Sequence, residues 1–194
     1  KLQATDSGEC TYAQDGYDCN GELIVYVGLE AYGGMVFYYN EIGGYGLVAA
    51  PPLNEWYSFG CSGVEISGAD GYGLGWGMQN TVDIINDCNE SEFAAKICYE
   101  YYYNGFEDWF LPSAEEFDLL DNSIGVNSAS NLLSVDEQHG FKTSTEISAN
   151  QAYMCHNYSN GIGVGDKGSD NVIPIRAFGN WTQGCMDTTA CNYN

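Results

Sequence analysis

Basic side chains are nearly missing from this chain: 5 Lys and Arg stand against 27 Asp and Glu in 194 residues, a formal net charge of −22. A surface this acidic repels phosphate backbones and anionic lipid heads, so nucleic acids and acidic membranes are excluded as direct partners. It also makes copies of the chain repel one another unless a saline medium or divalent cations intervene. Histidine is scarcer still, with His139 and His156 alone, and there is no CxxC pair, which weakens zinc as the use of the cysteines. No stretch approaches the roughly 18 apolar residues that cross a bilayer, and the polar start Lys1-Leu2-Gln3-Ala4-Thr5-Asp6 does not read as a signal peptide. A GxSxG elbow, an HExxH pair, a P-loop and a dinucleotide fingerprint are all missing. His156 follows Cys155, but neighbours on a strand point to opposite faces, so they do not form a thiol-imidazole pair. No enzymatic activity is expected.

Cysteine, in contrast, is plentiful. Eight residues, Cys10, Cys19, Cys61, Cys88, Cys98, Cys155, Cys185 and Cys191, are more than a reducing compartment usually tolerates without a metal or catalytic use for them. Four disulfides and no free thiol are expected. Cys10, Cys19, Cys185 and Cys191 are expected to pair among themselves, and Cys61, Cys88, Cys98 and Cys155 among themselves, with the connectivity inside each set open.

The apolar pattern lies between the two cysteine-bearing ends. Leu23–Val27, Met35–Tyr39 and Gly46–Ala50 are β-branched and aromatic runs punctuated by Gly33-Gly34 and Pro51-Pro52, as short strands require. A helix capped by Asn80 with Val82 and Ile85 inward, and a longer one capped by Ser91 and running through Tyr102 to Gly105, follow from spacings of three and four. Ser113-Ala114-Glu115-Glu116 is a capping box that opens a third helix. Strands return at Gln151–Cys155 and Asn171–Phe178. Strands, helices and strands in that order predict an α+β domain. The chain divides into a connector half at 1–21, a body at 22–178 and a second connector half at 179–194.

Two resemblances go further. Reading off the C-terminus from Gly184-Cys185-Met186-Asp187-Thr188-Thr189-Ala190-Cys191-Asn192-Tyr193-Asn194 and back in through Cys10 to Gly16-Tyr17-Asp18-Cys19-Asn20-Gly21 gives one continuous string. It resembles the small GCTDPTACNYN-type cysteine repeats found in tandem in large extracellular proteins. The body carries Gly33-Gly34-Met35-Val36-Phe37-Tyr38, Gly46–Pro51, Trp56 with Gly60-Cys61 through Gly68-Ala69, Asn80-Thr81 through Cys88, and Ala94–Tyr99. It continues with Gly105-Phe106-Glu107-Asp108-Trp109-Phe110-Leu111-Pro112-Ser113, Ser144-Thr145-Glu146 and Ile175-Arg176-Ala177-Phe178. In that order these pieces resemble the DUF1566 or Fibrobacter-major-paralogue type of domain, which implies a C-type-lectin-like body and no single established reaction. Phe141-Lys142-Thr143 stands where that pattern commonly has a Tyr-Trp pair, so a surface built on that tryptophan is in doubt.

Residue by residue, the motif reads as architecture. Trp109 is expected in the core, Asp108 at a turn or helix end, and Glu146 in a structural ion pair with Arg176. Asp15, Asp18 and Asn20, joined by Asp187 and Asn192, offer oxygen donors to calcium; the same loop also reads as Asx-turns stapled by disulfides, and the sequence leaves both open. Tyr72, Trp76 and Tyr158 are the candidate ligand surface, and at least one of Tyr101-Tyr102-Tyr103 should be exposed. The reading is an extracellular or cell-surface structural subunit or repeat of a filament, stalk or fibre, partnered by copies of itself head to tail. The alternative is a bacterial or viral adhesin module that binds glycans or cell-surface proteins.

Overall fold

A computed structural model describes residues 15–125, 127–128, 131–133, 140–156 and 161–181. Cys10, His139, Tyr158, Cys185, Asp187, Cys191 and Asn192 lie outside the described residues, as does the His156 side chain. The strands are β1 (Glu30–Ala31), β2 (Gly34–Asn40), β3 (Tyr45–Ala49), β4 (Leu53–Ser58), β5 (Phe141–Ser148), β6 (Gln151–His156), β7 (Gly161–Asp166), β8 (Ser169–Val172) and β9 (Ile175–Gly179). The helices are α1 (Gly77–Asp87), α2 (Ala94–Tyr99) and α3 (Ala114–Ser123). The fold is α+β and mostly β, with one antiparallel sheet in the order β1-β2-β3-β9 and a second in the order β4-β8-β5-β6-β7.

The first sheet is buried on both faces, which is why its strands read as nearly unbroken apolar runs. Phe37, Leu47, Ala49 and Ile175 face α3 and the second sheet, where Phe110, Phe117, Leu120 and Phe141 meet them. Val36, Val48, Ala50 and Phe178 pack with Trp109 on the other face, under Val25, Leu29, Tyr101 and Tyr103. A third cluster joins α1, α2 and the second sheet through Phe59, Ile84, Phe93, Cys98, Ala152 and Val172. Trp109 is completely buried, as expected of a core residue.

Local signals predict some elements and miss others. Ser113 caps α3, accepting from Glu116 N while the Glu116 side chain accepts from Ser113 N. Leu23–Val27, in contrast, is not a strand. The edge of β2 is already taken, because Gly28 N donates to Val36 O and Val36 N to Leu29 O, so the run joins neither sheet; it makes an isolated bridge from Leu23 to Tyr17 and leaves Ile24, Tyr26 and Val27 exposed. Asn80 does not cap α1; it is buried within it, donating to Gly71 O and accepting from Gly71 N. Ser91 does not cap α2 either, and α2 ends at Tyr99 rather than running on to Gly105. Beyond it the chain turns so that Tyr101 and Tyr103 each bring a ring to 6.0 Å from the Trp109 indole, leaving Tyr102 exposed. Burial of two rings outweighs the few tenths of a kcal/mol per residue that separate helix formers. The run Asn171–Phe178 is also two strands. Pro174, which has no N–H to donate, marks the point where the chain leaves the second sheet and enters the first.

Three of the four described basic side chains are inside. Lys142 Nζ lies 2.9 Å from Asp170 Oδ2 and donates to Asp166 O. Lys167 pairs with Glu146, donates to Val64 O at 2.7 Å and sits over the Phe59 ring. The expected Glu146–Arg176 pair does not form, because β5 and β9 belong to different sheets; Glu146 takes Lys167 from the turn after β7, and Arg176 takes Asp108. Removing one partner of a buried pair leaves an uncompensated charge. Lys167→Met should therefore cost about 3–5 kcal/mol, and Lys167→Met with Glu146→Gln should recover most of that loss, as read by urea unfolding at neutral pH.

Candidate functional site

Arg176 and Asp108 form the floor of a cleft of about 590 Å³ between β9, the 106–110 segment and the start of α1. Arg176 Nε donates to Asp108 Oδ1 at 2.6 Å and Nη2 to Oδ2 at 2.8 Å, a bidentate pair, while Nη1 donates to Tyr32 O at 2.6 Å. The guanidinium lies 3.9 Å from the centre of the Phe106 ring. Its flat, weakly hydrated face suits that contact, and it leaves the Asp108 carboxylate half exposed to the cleft. Asp108 is therefore the partner of a strand arginine rather than the cap of a helix.

Tyr32 reaches this position through a turn that strongly prefers other residues. Two residues, Tyr32 at φ 54° and Gly33 at φ 92°, join β1 to β2, the two-residue hairpin loop in which both residues are left-handed. A side chain at Gly33 would collide with the Phe106 ring. The strained Tyr32 is held by its carbonyl on Arg176 and by its ring, stacked 4.1 Å from Phe178. Trp181 completes the wall, edge-on to Tyr38 and Tyr45. The cleft thus offers aromatic surface and one carboxylate able to accept hydrogen bonds. No signal in the sequence links Asp108 to Arg176.

The loop carrying Tyr72 and Trp76 borders this cleft through Gly75. Both rings are about two-fifths exposed, and Tyr72 also packs edge-on against Tyr153 at 5.0 Å. Glu116 pins the loop from below. Its buried carboxylate accepts from Gly75 N and Ser113 N, both at 2.8 Å, and Gly77 N also donates to it, so one side chain joins the starts of α1 and α3. Burial raises its pKa from the ordinary 4.5 to about 7, against the opposing pull of those backbone donors. The folded chain therefore holds this proton more tightly than the unfolded one. The contribution of Glu116 to stability should be greatest below about pH 4.5 and fall as pH rises to about 7. Unfolding of Glu116→Gln followed across that range should lack this component of the wild-type slope.

The cysteines divide differently from expectation. Cys61 and Cys88 form a disulfide, beside which Glu90 accepts from Cys61 N at 2.8 Å. Cys98 does not join Cys155: Cys98 is a buried free thiol in the cluster around α1 and α2, and Cys155 lies in the cluster around α3. Cys155 is a thiol that donates toward Asp121 at 3.7 Å, and burial together with that carboxylate pushes its pKa up to about 12. The expectation of four disulfides and no thiol is thereby corrected. Thiol titration should find Cys98 unreactive in the native protein and reactive after unfolding in denaturant without reductant.

At the other end of the described chain, the Asp15–Asn20 loop is an Asx-turn. Asp18 Oδ1 accepts from Asn20 N and Glu22 N, both at 2.8 Å, and Oδ2 accepts from Asn20 Nδ2. Those donors lower the pKa of Asp18, the Glu22 amide most of all. Oδ1 uses both of its lone pairs in this way, whereas Oδ2 keeps a second one, so the turn could hold its shape while offering that oxygen to a hard cation. Cys19 is exposed beside it. The chain matches no protein-family model and no curated protein.

Proposed function

We propose that this chain is a non-enzymatic structural subunit or repeat of an extracellular filament, stalk or fibre, joined head to tail through the cysteine-bearing segments at 1–21 and 179–194. The observation that carries this reading is the placement of the two strands that lead to those segments. β1 and β9 are the opposite edges of one sheet, three strand spacings of roughly 4.8 Å apart. The chain enters β1 past Leu29, alongside Val36, and leaves β9 at Gly179, opposite Tyr45 and so beside Asn40. The chain thus enters and leaves the body along opposite edges of the sheet, which would let one segment face each neighbour. Disulfides among Cys10, Cys19, Cys185 and Cys191 would close each joint, because segments this short bury too little apolar surface to fold unaided. Calcium on Asp15, Asp18, Asn20, Asp187 and Asn192 belongs to the same proposal.

Deleting residues 184–194 should abolish higher-order assembly, followed by electron microscopy and sedimentation, while the melting temperature of the body stays within a few degrees. Wild-type chain that remains monomeric at every concentration would remove the reading. Chelation should lower the melting temperature of assembled material and leave that of the truncated chain unchanged.

A second reading is favoured by one observation: the aromatic cleft over Arg176 and Asp108, bordered by Tyr72 and Trp76, has the make-up of a surface that stacks on sugar rings. On that reading the chain is an adhesin module, and monomeric protein with Asp108→Ala would lose binding on a glycan array.

A further inference from the structure

Lys167 and Glu146 form the most deeply buried ion pair among the described residues, with the lysine side chain fully covered and the glutamate side chain 4 % exposed. As ions they are under-supplied there. An ammonium carries three N–H donors, and Lys167 Nζ has two oxygen acceptors among the described residues, Glu146 Oε1 and Val64 O; beyond these it meets the Phe59 ring, centred 5.1 Å away. A carboxylate offers roughly four lone-pair sites, and Glu146 uses one at Oε1 for Lys167 and one at Oε2 for Ile66 N, at 2.8 Å. Buried charges with unused bonding capacity are costly.

A secondary amide joining Nζ to Cδ needs less. It requires one acceptor for its N–H and one donor for its carbonyl oxygen, and Val64 O and Ile66 N are those two groups, already in place. The surroundings therefore complete an amide and leave the separate ions incomplete. Lys142 and Asp170, in contact at 2.9 Å, are not equivalent, because the Asp170 side chain is 26 % exposed and its carboxylate keeps contact with solvent.

We propose that Lys167 and Glu146 condense in the folded chain to an intramolecular isopeptide bond. One proton passes from Nζ to Oε1, giving an amine and a carboxylic acid, and the Nζ lone pair attacks Cδ. A second proton moves from nitrogen to the Oε1 hydroxyl, the Cδ–Oε1 bond breaks with its electron pair, and Oε1 leaves as water. Oε2 stays as the amide oxygen and Nζ keeps one hydrogen, so no oxidant or energy carrier is consumed. Ile66 N donates to the oxygen on which negative charge develops during the attack, where a fixed backbone donor lowers the barrier. Holding the two groups in contact gives an effective concentration on the order of 10⁵ M or more, and condensation removes two charges from the interior. The bond ties β5 to the turn after β7 and closes β5, β6 and β7 into one covalent ring, which reductant does not open as it opens Cys61–Cys88. The cost of Lys167→Met and its recovery by Glu146→Gln describe the pair before it condenses. The inference does not depend on the filament reading.

The test is the intact mass of the full chain, reduced and denatured. Chain that has folded should be lighter than its sequence by one water, and chain kept in denaturant before it can fold should not. Trypsin should fail to cut after Lys167, and cleavage after Tyr153 should leave the Glu146 and Lys167 peptides joined. Lys167→Arg keeps the charge without the nucleophilic amine and should show its full sequence mass, with folding checked by circular dichroism; if that variant does not fold, the wild-type mass and the branched peptide decide alone. Wild-type chain at full mass after prolonged incubation in the folded state overturns the inference. So does a lost water that maps elsewhere while the Glu146 and Lys167 peptides separate. Neither result touches the filament reading, which is read by assembly.

Discussion

Three of the four described cations of this protein are spent inside it. Lys142, Lys167 and Arg176 are buried, and each is held by a carboxylate and at least one backbone carbonyl. Burying a charge is costly unless its partners are placed accurately, so each pair constrains where its loops can lie. Lys167 binds the turn after β7 to β5 and to the segment around Val64, next to the Cys61–Cys88 disulfide. Lys142 holds β5 to the residues on either side of the same turn. Arg176 holds β9 to the 106–110 segment and to the β1–β2 hairpin. Long loops that hydrophobic packing alone would leave loosely placed are thereby tied to strands.

The rest of the body follows from those ties. Once the chain crosses between sheets at Pro174, Arg176 points to the face on which Trp109, Phe106 and Phe178 already lie, and the aromatic cleft is the space left over its guanidinium. The strained Tyr32 is tolerated because Arg176 and Phe178 hold its two ends. Glu116 plays the corresponding part for the helices, supplying one buried acceptor to two chain segments that start α1 and α3. Cleft and aromatic loop therefore share a rigid base.

With three of the four described basic side chains turned inward, the outer surface is dominated by carboxylates. That surface is self-repelling, a repulsion that salt, divalent cations or covalent linkage between copies would offset.

Local chemistry was legible in the sequence. The capping box at Ser113, the strands around Val36 and Val48, the burial of Trp109 and the α+β class all depend on residues within a few positions of one another or on simple periodicity. The Asx-turn at Asp18 is local as well, made by hydrogen bonds across two to four residues. The tertiary structure alone decided what depends on distant partners. Arg176 finds Asp108 across 68 residues, and Lys167 finds Glu146 across 21, choices set by which sheet each strand joins. The same cause shortens α2, buries Asn80, divides Asn171–Phe178 at Pro174 and keeps Cys98 from Cys155. A local preference is worth a few tenths of a kcal/mol, whereas one buried ring or paired charge is worth several times that, so tertiary packing prevails where they conflict.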